Sequence, residues 1–164
     1  ERERQRFLEI AARRQQPAGR YGGVFFASLQ QSLVLRDTAA ARRILAEALA
    51  RTPLDSMDPI DRPYGGLVRT YALAGDAGKA RAFLEEYRRV TPPGLLRDSV
   101  GVQAMELHLA LAEGRPRDAL RTARAIRAAE HCVRCGAYEE ALAWEQLGSE
   151  SLIGSWVGGL FWDR

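Results

Sequence analysis

Lysine is almost absent from this 164-residue chain, since only Lys79 among its 24 basic residues is a lysine and the rest are arginines. The arginines form no long cluster and alternate with glutamate, as in the stretch from Glu85 to Arg89. Such alternation is typical of a solvated helix face with ion pairs one turn apart. A nucleic-acid-binding surface needs a clustered basic stripe, so the formal charge of +3 predicts no nucleic-acid partner.

Cysteine and long apolar runs are also scarce. Two cysteines are too few for a disulfide framework in a chain of this length, which leaves the compartment open. The longest uncharged apolar stretch, Ser151 to Trp162, is shorter than the roughly 20 residues of a membrane-spanning helix, so we expect no membrane span. The chain opens at Glu1 without a charged-then-apolar leader, and we expect it to be cut from a longer polypeptide.

What the chain does have is ordinary globular composition, at 46% hydrophobic and 27% charged residues. It also has an internal repeat. Ala41, Ala80 and Ala119 lie 39 residues apart, Thr52-Pro53 recurs as Thr91-Pro92, and Gly75 recurs as Gly114. Arg36 occupies the equivalent glycine position in the first repeat. A fixed period of this length predicts a repeat architecture.

Each repeat reads as two helices joined by a tight turn. The second helices show the i, i+3, i+4, i+7 apolar spacing of an amphipathic helix, for example at Ala80, Phe83, Leu84 and Tyr87. The turn residues are a glycine for a left-handed helix end, followed by Asp76 as an N-cap or Pro116 in a first turn. The first helices are predicted at about 21–35, 63–74 and 98–113, with a fourth near 137–147.

One helix pair cannot bury its apolar face alone, so neighbouring pairs are expected to stack, with the small recurring alanine at the close contact. We therefore predict an all-α fold in three parts. Residues 1–16 form the trailing helix of an upstream repeat, residues 17–148 hold three helix pairs and part of a fourth, and residues 149–164 form an apolar tail.

The middle unit, YGGLVRTYALAGDAGKARAFLEEYRRVTP, resembles a tetratricopeptide repeat. The matching positions are Tyr64, Leu67, Tyr71, Gly75, Ala80, Leu84 and Pro92. The resemblance covers about residues 21–148 and implies a right-handed α-solenoid that serves as a non-catalytic protein or peptide interaction module. A helical solenoid of the HEAT kind, which has a longer period, is the alternative fold.

A narrower resemblance is to the carboxy-terminal repeat region of bacterial signalling proteins, notably serine/threonine protein kinases. It is carried by DRPYGGLVRTYALAGDAGKARAFLEEY, ALAEGRPRDALRTA and HCVRCGAYEEALAWEQLG. It implies the alternative function, a regulatory or sensor tail whose enzyme lies elsewhere in the polypeptide.

In tetratricopeptide proteins the first helices line a concave groove that holds a peptide. The resemblance therefore implies a groove with Gln30, Arg69 and His108, again 39 residues apart, on one inward line. Phe26, Arg62 and Met105 are placed beside that line, with Arg62 and Arg69 sharing a helix face seven residues apart. Arginines there would favour an acidic or carboxylate-ended partner, whereas the alternative is that they are solvated side chains on an unused surface.

No catalytic motif stands in the chain, and we expect no cofactor and no enzymatic activity. Gly75, Gly78 and Lys79 look like a phosphate loop but lack its spacing, so they are interpreted as an inter-helix turn.

His131, Cys132 and Cys135 give too few ligands for a structural zinc site, so packing is preferred over a metal or redox role. The aromatic tail has two interpretations: it docks a partner or membrane surface, or it covers the last repeat.

Overall fold

In the computed structural model the described residues are 21–96, 100–130, 140 and 142–143. All regular secondary structure in this part of the chain is helical, which confirms the predicted all-α class. The predicted trailing helix at 1–16, most of the fourth first helix, and the tail at 149–164 lie outside the described residues. The chain divides into two compact units, residues 1–63 and residues 64–164.

The first unit contains one helix pair. Helix α1 (Tyr21–Leu29) continues into a π-helical turn (Gln30–Val34), and helix α2 (Thr38–Arg51) returns against both. Two short 3₁₀ turns follow at Leu54–Ser56 and Pro59–Asp61. The pair closes on the fully buried Ala41 and Leu45 and on Tyr21, whose hydroxyl donates a 2.7 Å hydrogen bond to the Thr52 carbonyl.

The second unit contains two helix pairs. Helix α3 (Tyr64–Leu73) packs on α4 (Ala77–Val90), and after the short helix α5 (Pro93–Leu96), α6 (Val100–Ala112) packs on α7 (Pro116–Glu130). Helix α6 also packs on α3 and α4, so consecutive pairs share one core. Ala143 joins the apolar cluster of α6 and α7 and is fully buried, which places a residue of the predicted fourth repeat against the third.

The repeat found in the sequence is present in the backbone. Ala41, Ala80 and Ala119 are all 0% exposed, as expected of alanines at close helix contacts. The Asp37 carboxylate accepts a 2.8 Å hydrogen bond from the Ala40 amide, and the Asp76 carboxylate accepts one of 3.0 Å from the Lys79 amide. These N-caps satisfy amides that the first turn leaves without helical partners.

The turns between paired helices repeat as well. Gly75 and Gly114 adopt φ of 73° and 68°, and Arg36 adopts φ of 58° at the equivalent position. Arg36 is the only non-glycine residue with positive φ in the described part of the chain. The left-handed conformation ends each first helix, and the first repeat adopts it even with a side chain that disfavours it.

The first helix of the first repeat departs from prediction. One continuous α-helix was expected over 21–35, but the turn at Gln30–Val34 is π-helical, with the Leu35 amide bonded to the Gln30 carbonyl five residues back. The Asp37 amide reaches six residues back to Gln31, whereas the equivalent Asp76 amide reaches five residues back to Tyr71. A wider turn that accommodates one extra residue explains the difference.

Candidate functional site

The surface of α1 and its π turn presents apolar side chains to solvent. Phe26 is 73% exposed and Gln30 is also exposed, so both of these predicted groove residues are accessible. Val34 and Leu35, at 71% and 57% exposed, extend the same helix, and the sequence interpretation did not single them out. A signal for them was available, because no residue from Tyr21 to Leu35 is charged.

Helix α3 presents Arg69. Its neighbours Val68 and Thr70 are buried, whereas the Arg69 side chain is exposed. One turn earlier, Gly65 is also exposed, and a Cβ atom added there would meet no atom within 4 Å. Arg69 therefore lies one turn after a position at which an added side chain would meet open space. A guanidinium in such a position suits a carboxylate that accepts two hydrogen bonds.

Arg62 does not share a helix face with Arg69, so that part of the prediction is wrong. Helix α3 begins at Tyr64, after Pro63, and Arg62 precedes it in the irregular segment. The Arg62 side chain is half-buried, and its Nε donates to the Met57 carbonyl at 3.4 Å. The proline explains the boundary, because a proline suits a helix start and disfavours helical backbone at the residue before it.

Met105 and His108 on α6 are buried, at 4% and 7% exposed. The His108 imidazole lies with Nδ1 2.6 Å from the Ala104 carbonyl oxygen, to which a protonated Nδ1 donates a hydrogen bond. Burial leaves both side chains little surface to offer a ligand. The 39-residue interval placed His108 in register with Gln30 and Arg69. It carried no information on how closely neighbouring helices cover each position.

A chain of ion pairs in the second unit joins helix α4, the turn between α6 and α7, and helix α7. Arg81 on α4 pairs with Glu113, which also accepts hydrogen bonds of 3.0 and 2.6 Å from Arg115. Asp118 accepts from Arg115 at 2.8 Å and from Arg121 at 2.5 Å. The hydrogen bonds that Arg115 donates to Glu113 and Asp118 raise its pKa above the ordinary value. Positive and negative side chains alternate along this chain of ion pairs, so each of its two carboxylates is held between two guanidinium groups.

The chain of ion pairs borders a cleft of about 350 Å³ between α4, α6 and α7. Arg88 and Glu106, which form an ion pair across the cleft, also line it. The charged groups that line the cleft are thus already matched by one another. We interpret the cleft as the seam between two helix pairs, held by charge at its edge.

A smaller cleft of about 270 Å³ lies in the first unit beside Tyr21 and Val24. Desolvation by burial raises the pKa of the Tyr21 phenol, so the group is neutral and serves as a hydrogen-bond donor to Thr52. Its role is to fix the start of α1 on the end of α2.

No cluster of three or more metal-binding side chains occurs among the described residues. His131, Cys132 and Cys135 lie outside them, so the packing interpretation of the cysteine pair stays a prediction. Within the same limits, no helix is both long and apolar enough to cross a membrane.

A comparison with known proteins finds no matching family model, no matching curated protein and no matching solved structure. The likeness to tetratricopeptide repeats therefore rests on the residues of this chain alone. The groups that the first helices expose are an aromatic ring, a carboxamide and a guanidinium. These groups bind through contact area, hydrogen bonds and charge.

Proposed function

We propose that this chain is a non-catalytic interaction module of the tetratricopeptide kind, which binds a protein or peptide through the exposed faces of its first helices. The observation that carries the proposal is the exposure of Phe26, Gln30 and Arg69, three side chains that the core does not use. Exposed aromatic and apolar side chains on a helix are a common feature of binding surfaces.

The stacking that such a module needs is also part of the proposal. In the second unit, α6 packs on both helices of the preceding pair, and the same left-handed turn recurs every 39 residues. Repeated units joined in the same way generate a superhelix. We propose that the pairs form a right-handed α-solenoid.

The exposed Arg69 favours a partner that carries carboxylates. It lies one turn after Gly65, at which an added side chain would meet open space, and a guanidinium forms two parallel hydrogen bonds with a carboxylate. Solvent access at Arg69 makes the interaction dependent on salt as well as on contact.

The test begins with a displayed library of random peptides selected on the immobilised chain. The selected peptides are then titrated by calorimetry against the wild-type chain, Arg69→Ala and Arg89→Ala. Arg89 is a matched control, because it is an exposed arginine on the second helix α4 and is held by Glu86 at 2.7 Å. We expect enrichment of acidic or carboxylate-ended peptides, and a rise in Kd of about tenfold for Arg69→Ala alone.

Failure to enrich any peptide, or equal loss of binding in the two arginine variants while both remain folded, would reject the assignment to the first helices. Circular dichroism of each variant checks the fold.

A further inference from the structure

Helix α1 contributes few side chains to the core of its own pair. It buries two of its nine residues, Tyr21 and Ser28, whereas α3, the equivalent helix of the second unit, buries six of its ten. The large apolar side chains of Phe26, Val34 and Leu35 are mostly exposed, so they add little to the buried apolar surface. Because packing of an apolar face supplies most of the stability of a helix in a protein, α1 is held less firmly than α3.

The end of α1 contains two features that favour an open state. Arg36 adopts a φ of 58°, which is strained for a residue with a Cβ atom, whereas the second unit has glycine at the equivalent positions. The Ser32 hydroxyl of the π turn is buried and has no hydrogen-bond partner in the described structure. Opening of the pair would let the Arg36 backbone relax and the Ser32 hydroxyl bind water.

The second helices of the two units are closely matched. Helices α2 and α4 each have 14 residues, each begins after an aspartate N-cap, and each buries an alanine at the close contact. Helix α6 packs on both α3 and α4 and so ties the two pairs of the second unit together. A difference in local stability between α2 and α4 therefore reports mainly on the helices that pack against them.

Two side-chain hydrogen bonds join α1 to α2. The Tyr21 hydroxyl donates to the Thr52 carbonyl at 2.7 Å, where α2 ends, and the Ser28 hydroxyl donates to the Ala41 carbonyl at 3.4 Å. Separation of α1 from α2 breaks both bonds and exposes the buried Leu45 of α2 to water. We therefore expect the two helices to open together.

We propose that the first helix pair is a separately opening unit, in which α1, its π turn and α2 unfold and refold together while the second unit stays folded. Regions of lower local stability open in this way as contiguous cooperative units. The proposal does not depend on the proposed function, but it has a consequence for it. A partner that recognises Phe26 and Gln30 on a folded helix binds only the closed pair, so opening weakens its apparent affinity and binding keeps the pair closed.

Hydrogen exchange of the free chain, followed by mass spectrometry at urea concentrations below the unfolding transition, measures the opening. The slowest amides of α2 should have protection factors at least about tenfold lower than the slowest amides of α4. Their exchange should also depend less on urea, because opening of one helix pair exposes less surface than unfolding of the whole chain.

Substitutions at the equivalent turn positions Arg36 and Gly114 separate the two units. Arg36→Gly should slow exchange in α1 and α2 about fivefold, because glycine adopts the observed φ without strain. Tyr21→Phe should speed it about fivefold, because the Thr52 carbonyl loses its donor. Gly114→Ala is the matched control: it should speed exchange in α6 and α7 and leave α1 and α2 unchanged.

Equal protection of α2 and α4, with the urea dependence of complete unfolding in both, overturns the proposal. It is also overturned if Gly114→Ala speeds exchange in α1 and α2 as much as in α6 and α7, since both units would then open in one step. The peptide selection tests the proposed function separately, because a chain whose first pair opens by itself but which enriches no peptide would reject that function alone.

Discussion

The first and second helix pairs share a backbone plan but differ in how they fill their cores. Asp37 and Asp76 cap the second helices in the same way, and Ala41 and Ala80 are both fully buried. The buried Leu67 and Tyr71 of α3, however, correspond to Ser28 and Ser32 in the first repeat, which are 0% and 4% exposed. Caps, turns and small contact residues thus specify the helix pair, whereas the bulk of its core varies from repeat to repeat.

The serines have different hydrogen-bonding environments. The Ser28 hydroxyl donates to the Ala41 carbonyl at 3.4 Å, whereas the Ser32 hydroxyl is buried with no hydrogen-bond partner in the described structure. A buried hydroxyl without a partner lowers stability, and a small side chain contributes little apolar burial. We infer that the first pair contributes less to stability than the second, although both follow one 39-residue pattern.

The sharpest test of the comparison substitutes alanine at the equivalent positions Tyr71 and Ser32. Tyr71 is 0% exposed and stacks on Phe83 with ring centroids 5.5 Å apart, so Tyr71→Ala should lower the free energy of unfolding by about 3–5 kcal/mol. Ser32→Ala removes only the orphaned hydroxyl and should be neutral or stabilising by up to about 1 kcal/mol. Urea denaturation followed by circular dichroism measures both. Equal destabilisation would show that the two cores are equivalent after all.

The shared part of the plan is tested at Ala80. Leucine at this fully buried position should overpack the contact between helices and destabilise the chain by about 1–3 kcal/mol. Ala82→Leu, the same substitution at an exposed position of the same helix, is the control and should leave the denaturation midpoint almost unchanged. If the two variants have the same midpoint, the close contact has been assigned to the wrong face of α4.

Substitutions in the turn that ends each first helix should change stability by a smaller amount, with opposite signs in the first and third repeats. Arg36→Gly should stabilise the chain by about 1 kcal/mol, because glycine adopts the observed φ of 58° without steric strain. Gly114→Ala should destabilise it by about 1 kcal/mol, because alanine is strained at the observed φ of 68°. An added Cβ there meets no other atom within 4 Å, so backbone strain is the whole expected cost. Thermal melts compare the pair. A change of the same sign in both variants would contradict a shared left-handed turn.

The smallest effect is expected from the ion pair between Arg88 on α4 and Glu106 on α6. Both side chains are almost half exposed, at 46% and 45%, so solvent screens their attraction. A double-mutant cycle with Arg88→Ala and Glu106→Ala should give a coupling of about 0.2–1 kcal/mol at low salt, and less in 1 M sodium chloride. A coupling that is insensitive to salt would mean that the side chains interact by packing instead.

Sequence periodicity predicted the helix pairs because their signals are local. Asp76 as a cap, Gly75 and Gly114 as left-handed turn residues and Pro116 at the start of α7 were all identified from residue type and spacing, and all are confirmed. The substitution of arginine at position 36 did not abolish the turn. The first repeat therefore keeps the same left-handed turn as the others, although arginine disfavours that conformation.

The candidate site was predicted less well, because exposure depends on neighbours. Phe26, Gln30 and Arg69 proved accessible, but Met105 and His108 are covered in the core of the second unit. The packing of α6 on both α3 and α4 contributes to that burial. The π turn at Gln30–Val34 was also outside the prediction, since an added residue in a helix leaves no pattern in apolar spacing alone.

The sequence by itself determined that this protein is helical, where its second helices begin and which alanines lie at close contacts. These properties follow from hydrogen-bonding groups and side-chain volume within a few residues of each position. Only the tertiary structure decided which first-helix residues reach solvent. Helices with the same repeat position have different neighbours, and the neighbours determine whether an aromatic ring, an imidazole or a guanidinium is buried or available to bind.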